Sequence, residues 1–320
     1  MLKFLKKAIL SAMLTTFFNP HPALLEYVET ICVVNHEFTQ GDTLSSIYTY
    51  VPTHTRFLCF YLADPVLVKK GLGSFENHGQ SVIIGPQLTP VTLDLGKHHS
   101  NLLVILKPGG LYRLLGIPLI QLLDCCYDAR LVIGKEIDQL TERLLNASTN
   151  ININCIIQDY LLQKLFKLKP ALPIDLAMLQ LVRSQGKTAM DCLANQSCLS
   201  IRQLERQSLI RIGLPPKYFA RMIRFSEAYK FKERNPHISW TEIVYRFGYY
   251  DQMHLIRDFH HFTKINPSNL KEEIIIHSVR FNSLIDSFFF RNKTLLTYTI
   301  SFNSIVFEIE KVGDISNAFT

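Results

Sequence analysis

The sequence predicts an α+β chain: an N-terminal mixed α/β part built on a small sheet or barrel, then an all-α part with two helix-turn-helix subdomains. Three observations lead there. From residue 19 to about residue 130, short runs of β-branched and aromatic residues recur between Gly and Pro, which is the punctuation of a small antiparallel sheet. From Thr188 to Ser268, one pattern of caps and apolar positions occurs twice, offset by about 51 residues, with an amphipathic stretch between the copies. The net charge of +7 is also unevenly spread: residues 171–270 hold 14 Lys/Arg against 8 Asp/Glu, residues 1–170 hold 15 against 13, and residues 271–320 hold 5 against 6.

At 320 residues the chain is long enough for two domains with separate cores. Residues 1–18 carry three lysines followed by an apolar run. They resemble the start of a signal peptide but lack a small-x-small cleavage site, and the run is too short to span a bilayer. They read as an extension, either an amphipathic helix or the result of an upstream start. A domain over 19–168 follows. Pro20 and Pro22 open an expected helix over 23–31, and strands are expected over 46–51, 56–62, 81–84, 91–95 and 102–106. Gly71-Leu72-Gly73 is a turn. Residues 135–146 and 153–168 have helical spacing, with Ile156, Ile157, Tyr160, Leu161, Leu165 and Phe166 as a stripe. The boundary falls at 169–173, where Pro170 and Pro173 bracket a turn.

The second domain spans 171–270. Pro173-Ile174-Asp175 starts a helix that ends near Gly186. The first repeat then runs through Ala194, Cys198, Leu199, Ser200, Leu204 and Ser208, and the second through Val244, Gly248, Tyr249, Asp251, Leu255 and Phe259, with Tyr250 as one extra turn residue. Ser200 and Asp251 are N-cap types that start a second helix in each copy. Gly248 suits a helix-to-helix turn at positive φ, and Cys198 holds that place less comfortably. Leu204/Ser208 and Leu255/Phe259 form i, i+4 stripes that face inward. Ser208, opposite Phe259, leaves the first copy short of an aromatic ring, so filling that position with Phe is expected to stabilise it unless Leu209 or Ile212 swings into the gap; the serine hydroxyl would find a partner such as the Leu204 carbonyl. Between the copies, Pro216 opens a linker helix to about Arg234, with Tyr218, Phe219, Met222, Ile223, Phe225 and Ala228 inward and its Lys/Arg outward. Ser239 and Glu242 have capping-box spacing.

The outer faces of the two second helices carry Arg202, Gln203, Glu205, Arg206 and Gln207, and Gln252, His254, Arg257 and His260. Arg pairs bidentately with guanine and Gln with adenine, and a helix fits the major groove of B-DNA. One such face alone is equally well a solvated surface; two tandem copies on a basic segment favour the first interpretation.

The stretch 171–270 resembles the DNA-binding domain of the AraC/XylS family of bacterial transcription regulators. The resemblance rests on Leu193-Ala194, Cys198-Leu199-Ser200, Arg202 to Arg206, Ile212-Gly213, Pro216 to Arg221, Gly248 to Gln252, Phe259 and Pro267-Ser268. It implies two helix-turn-helix units, joined by a linker helix, entering successive major grooves on one face of the duplex. The implied DNA-binding residues are Ser200, Arg202, Gln203, Glu205, Arg206, Asp251, Gln252, His254 and Arg257. Gly85-Pro86-Gln87 and Lys107 to Pro118 resemble an uncharacterised, cupin-like N-terminal domain that precedes such domains, so 19–168 is expected to act as a sensor or dimerisation domain. The implied partners are double-stranded DNA and, beyond it, RNA polymerase, a small-molecule effector and a second copy of the chain; the implied location is the cytoplasm. The resemblance ends at Leu270, and the role of residues 271–320 stays open between an add-on, an interaction strand and a tail.

Enzymatic motifs are missing from the sequence: it has no nucleophile elbow, Walker loop or dinucleotide fingerprint. His98-His99 on one strand would point to opposite faces, which argues against a metal pair. Seven scattered cysteines form no CxxC, as in a reducing compartment; Cys125-Cys126 is read as buried filler, with a redox sensor as the alternative. No cofactor and no catalytic residue is expected. The rival to a regulator is a cupin-like small-molecule-binding protein or enzyme with a secondary nucleic-acid contact.

Overall fold

The computed structural model describes residues 14–39 and 45–267. Ten strands precede most of the helices: β1 (Leu14–Phe18), β2 (Val28–Glu37), β3 (Ile47–Tyr50), β4 (Arg56–Tyr61), β5 (Leu67–Lys70), β6 (Glu76–Asn77), β7 (Ser81–Ile84), β8 (Val91–Asp94), β9 (His98–Leu106) and β10 (Cys126–Asp128). The helices are α1 (Gly110–Leu115), α2 (Ala129–Ile133), α3 (Glu136–Leu145), α4 (Asn150–Lys164), α5 (Pro173–Arg183), α6 (Met190–Gln196), α7 (Ile201–Arg211), α8 (Pro216–Arg234), α9 (Trp240–Phe247) and α10 (Gln252–Thr263). The chain is therefore α+β, with antiparallel sheets ahead of a helical half. Among the described residues no helix is long and apolar enough to cross a membrane. Residues 1–13 and 268–320, with the readings made for them, lie outside the described part.

The strands form a six-stranded sheet in the order β1-β2-β9-β4-β7-β10 and a four-stranded sheet in the order β3-β8-β5-β6, antiparallel throughout. Every residue of β4 is buried, as expected of a central strand covered on both faces. Leu58 and Phe60 join Val104, Leu140, Ile157 and Leu161 in a core shared with α3 and α4. On the opposite face, Cys59 lies beside Tyr48 of the second sheet.

Two expectations fail here for one reason. The helix predicted over 23–31 forms only a 3-10 turn at Pro22–Leu24, after which β2 runs from Val28 to Glu37. Residues 14–18, inside the stretch read as an amphipathic helix or the result of an upstream start, form β1. Val28, Thr30, Ile31, Val33 and Val34 are β-branched, and β2 is paired on both sides, with β1 and β9. Ladder bonds and stiff side chains outweigh local helical spacing. Strands β5 and β6 went unpredicted; β5 is only half-buried, and β6 is a two-residue exposed edge.

Among α4 residues, Ile157, Tyr160 and Leu161 are buried against the chain's own sheet, whereas Phe166, just beyond the helix, is 96% exposed. Cys125 is exposed, contrary to its reading as buried filler, because it lies just ahead of the edge strand β10. Cys126 is half-buried, and burial raises its thiol to about 12, so it stays protonated at neutral pH.

The junction at 169–173 is pinned rather than loose. Arg113 Nε donates to the Lys169 carbonyl at 2.9 Å, and the Lys169 N–H donates back to the Arg113 carbonyl at 2.9 Å. Arg211 Nη2 reaches the Pro170 carbonyl at 2.9 Å. Val51 belongs to the same apolar cluster as Leu204, Ile212, Phe219 and Phe259, and Leu88 and Leu123 pack against that cluster. His54 stands edge-on to Phe219 at 6.5 Å between ring centroids. Gly213 has φ +82°, and a Cβ there would come 2.5 Å from Pro86 Cγ and 2.9 Å from the Leu119 carbonyl oxygen. Only glycine permits that approach.

Candidate nucleic-acid interface

The two helix-turn-helix units are built by the same local chemistry. Helix α6 ends in a turn where the Leu199 N–H bonds to the Ala194 carbonyl at 3.0 Å; after α9, the Tyr249 N–H bonds to the Val244 carbonyl at 3.0 Å. Both are the long bond of a Schellman motif, which closes when the residue before the donor turns left-handed. Gly248 does so at φ +69°, and Cys198 at φ +53°. Holding a Cβ-bearing residue there costs about 1–2 kcal/mol.

Each second helix then starts at the expected cap. Ser200 Oγ accepts from the Gln203 N–H at 3.3 Å while Gln203 Oε1 accepts from the Ser200 N–H at 2.9 Å, a full capping box. Asp251 Oδ1 accepts from the His254 N–H at 2.7 Å, and the His254 ring leans back to 3.5 Å from the same carboxylate. Ser200, Gln203 and Asp251 thus have side-chain oxygens engaged in fixing the helix starts. Helix α9 is capped the same way, the Glu242 N–H donating to Ser239 Oγ at 3.2 Å.

Burial sorts the faces. Leu204, Ser208, Leu255, Phe259 and Phe262 are each at most 1% exposed. Arg202, Gln203, Glu205 and Arg206 on α7, and Gln252, His254, Arg257 and His260 on α10, are exposed, and Gln207 is half-exposed. The partner of Ser208 differs from the one expected: its hydroxyl donates to the Leu214 carbonyl at 2.6 Å, not to Leu204. Ile212 and Leu214, 3% and 2% exposed, are packed into the same half.

Between the halves runs α8, 19 residues long. Lys217, Ala220, Arg221 and Arg224 form an i, i+3, i+4, i+7 stripe on it that floors a cleft of ≈ 810 Å³, walled by Lys187 to Met190 on one side and by Gly248 to Tyr250, His254, Arg257 and Asp258 on the other. From sequence these linker cations only turn outward, and the stripe spacing is the signal for the cleft floor. Arg221 is ion-paired with Asp258 and lies over the Phe262 ring, 5.6 Å from its centroid. Arg224 lies 5.6 Å over Tyr249 and donates through Nη2 to the Gly186 carbonyl at 3.4 Å. Burial, then the Asp258 carboxylate, pushes the Tyr249 phenol far above its usual range, so it stays neutral. Lys187 Nζ bridges to the Arg246 carbonyl at 3.3 Å.

No cluster of three or more His, Cys, Asp or Glu able to hold a metal occurs among the described residues. His98 and His99 point apart as adjacent strand residues must: the His98 side chain is 53% exposed and His99 is 2% exposed.

No family model matches the sequence, and no curated protein matches it. Among solved structures the chain is similar to ToxT from Vibrio cholerae. The apo form of a variant from strain SCE256 shares 11% identity at a TM-score of 0.41, over 75% of this chain and 95% of that one. ToxT from strain O395 shares 11% at 0.40, over 73% and 94%. Wild-type ToxT of strain SCE256 with a bound unsaturated fatty acid shares 11% at 0.38, over 69% and 92%.

Proposed function

We propose that this chain is a sequence-specific, double-stranded-DNA-binding transcription regulator of the AraC/XylS type, without enzymatic activity, whose second helices α7 and α10 read successive major grooves. The supporting observation is the pair of capped helices, each with its apolar stripe sealed inward and its Arg, Gln and His side chains in solvent, both packed against α8.

Roles follow from what each side chain has left to offer. Arg202, Glu205, Arg206, Gln252, His254 and Arg257 are the base- and phosphate-facing set. Ser200, Gln203 and Asp251 act chiefly by positioning, since their oxygens already accept helix N–H groups. The N-terminal sheets are the place where a small-molecule effector or a second copy of the chain modulates binding, because that part shares its apolar core with the first helix-turn-helix unit.

The test is selection of the full-length protein on a random duplex library, followed by titration of the enriched duplex over a range of salt. Two short sequence blocks about 10 base pairs apart, bound with steep loss of affinity between low and physiological salt, are the expected result. Absence of any enriched sequence would refute the reading.

A further inference from the structure

The cleft between the two helix-turn-helix units contains Lys187, Lys217, Arg221, Arg224 and Arg257 against a single carboxylate, Asp258. That carboxylate is already matched by Arg221. Arg224 is held in place by the Tyr249 ring and the Gly186 carbonyl, yet its Nε is buried and has no acceptor among the described residues. Arg257, one residue before Asp258, is exposed. The cleft floor is the first half of α8, and its walls are the start of α6 on one side and the turn before α10 with the first turns of α10 on the other, so the surplus charge lies between the two helix-turn-helix units.

A duplex that admits helices into two adjacent major grooves turns an intervening minor groove, with its two rows of phosphates, toward whatever joins those helices. A cationic, shallowly apolar trough at that place matches phosphodiester chemistry and offers no base-edge code. From this juxtaposition we infer that the cleft between residues 186–190, the α8 stripe and the 248–258 segment is a phosphate seat, which grips the DNA backbone between the two half-sites through Lys187, Lys217 and Arg224 independently of sequence. The inference rests on the DNA-binding reading proposed above. It adds that the two readers are held in register by a contact made at neither of them.

The consequence is quantitative. Each phosphate neutralised contributes about 0.9 to the slope of log affinity against log salt. In the full-length protein, Lys187→Gln combined with Lys217→Gln is therefore expected to lower that slope by about 1.8. The loss should be equal on the enriched duplex and on a random duplex of the same length, leaving their affinity ratio unchanged. Both lysines sit at the surface, and Lys217→Arg, which keeps the charge, should bind as wild type does. If the double variant keeps the wild-type slope, or loses affinity only for the enriched duplex, the seat is refuted while the readers stand. If the wild-type protein binds neither duplex, the DNA-binding reading itself falls and the seat with it.

Discussion

Arg211, in the last turn of α7, closes on Asp175, in the first turn of α5, through two parallel bonds of 2.7 Å and 2.5 Å, with the two side chains only 3% and 10% exposed. The Tyr112 ring of the N-terminal half covers the guanidinium at 4.6 Å, and Gly109 is left without a Cβ where Asp175 approaches, a Cβ there falling 2.2 Å from Oδ1. Asp175 also accepts from the Leu172 N–H at 3.0 Å. One carboxylate thus ties together the start of the helical half, the end of its first exposed second helix and the domain in front of it.

Removing either partner of such a buried pair strands the other charge, which costs about 3–5 kcal/mol. Asp175→Ala and Arg211→Ala are each expected to lower unfolding free energy by that order in urea titrations. The double variant should fall well short of the sum, because the stranded charge is gone. Additive losses would mean that the two side chains act separately.

Ser208 changes its meaning once its surroundings are known. The sequence suggests a missing ring, and hence that Ser208→Phe should stabilise. The hydroxyl is fully buried, donates to the Leu214 carbonyl and is flanked by Ile212 and Leu214 in one packed cluster. Overpacking such a site costs about 1–3 kcal/mol, so Ser208→Phe should lower the melting temperature. Ser208→Ala should cost about 1 kcal/mol through the lost bond. A rise in melting temperature with Phe would show that room for the ring exists after all.

On the exposed faces, Arg206→Ala should weaken binding to the enriched duplex by about 1–3 kcal/mol and flatten discrimination at one or two adjacent base positions. Arg257→Ala should do the same for the other half-site. Competition titrations against single-base variants of the duplex report this directly. Discrimination left intact in both variants would remove α7 and α10 as readers.

His99 supplies a pH signature. Burial, and then the neighbouring His36, lowers its imidazole to about 4, against about 6.5 in the unfolded chain. The unfolded state therefore binds the extra proton first as pH falls. The contribution is complete above about pH 6.5 and is lost progressively down to about pH 4, a span worth about 3 kcal/mol. Denaturant titrations from pH 7 to 4.5 should show a slope that His99→Phe reduces. An unchanged slope in that variant would assign the acid sensitivity to other groups.

How far the sequence could be read depends on the range of the interactions. The helical half was legible almost to the residue: α8 begins at Pro216 and ends at Arg234 as its Pro and apolar spacing indicate, and the caps at Ser200, Ser239 and Asp251 form as their residue types predict. These signals lie within four residues of what they control. Strand β2 was misread because its identity comes from partners elsewhere, Leu14–Phe18 on one side and His98–Leu106 on the other. The apolar cluster that unites Val51 with Leu204 and Phe219 spans more than 150 residues of chain, and no periodicity reports it. In the cleft, the α8 stripe was visible as spacing, but the walls come from two other segments. The outward face of α7 was readable, and the engagement of Gln203 by its own cap was signalled by the Ser200-x-x-Gln203 spacing, although from sequence Gln203 is placed only among the outward side chains.

The apolar interiors of the two helix-turn-helix units are only partly separate. One apolar cluster of the second, Ala228, Ile243, Val244, Phe247, Tyr249 and Leu255, is local to residues 228–255, but its Phe259 and Phe262 pack into the cluster of the first. That of the first includes Val51 and is lined by Leu88 and Leu123. The second unit is therefore only half portable: its local cluster could travel, but lifting it out would strip Phe259 and Phe262 from the interior they share with the first. The first has been grown into its host, and moving it would leave a face cut open where Pro86 and Leu119 now press on Gly213.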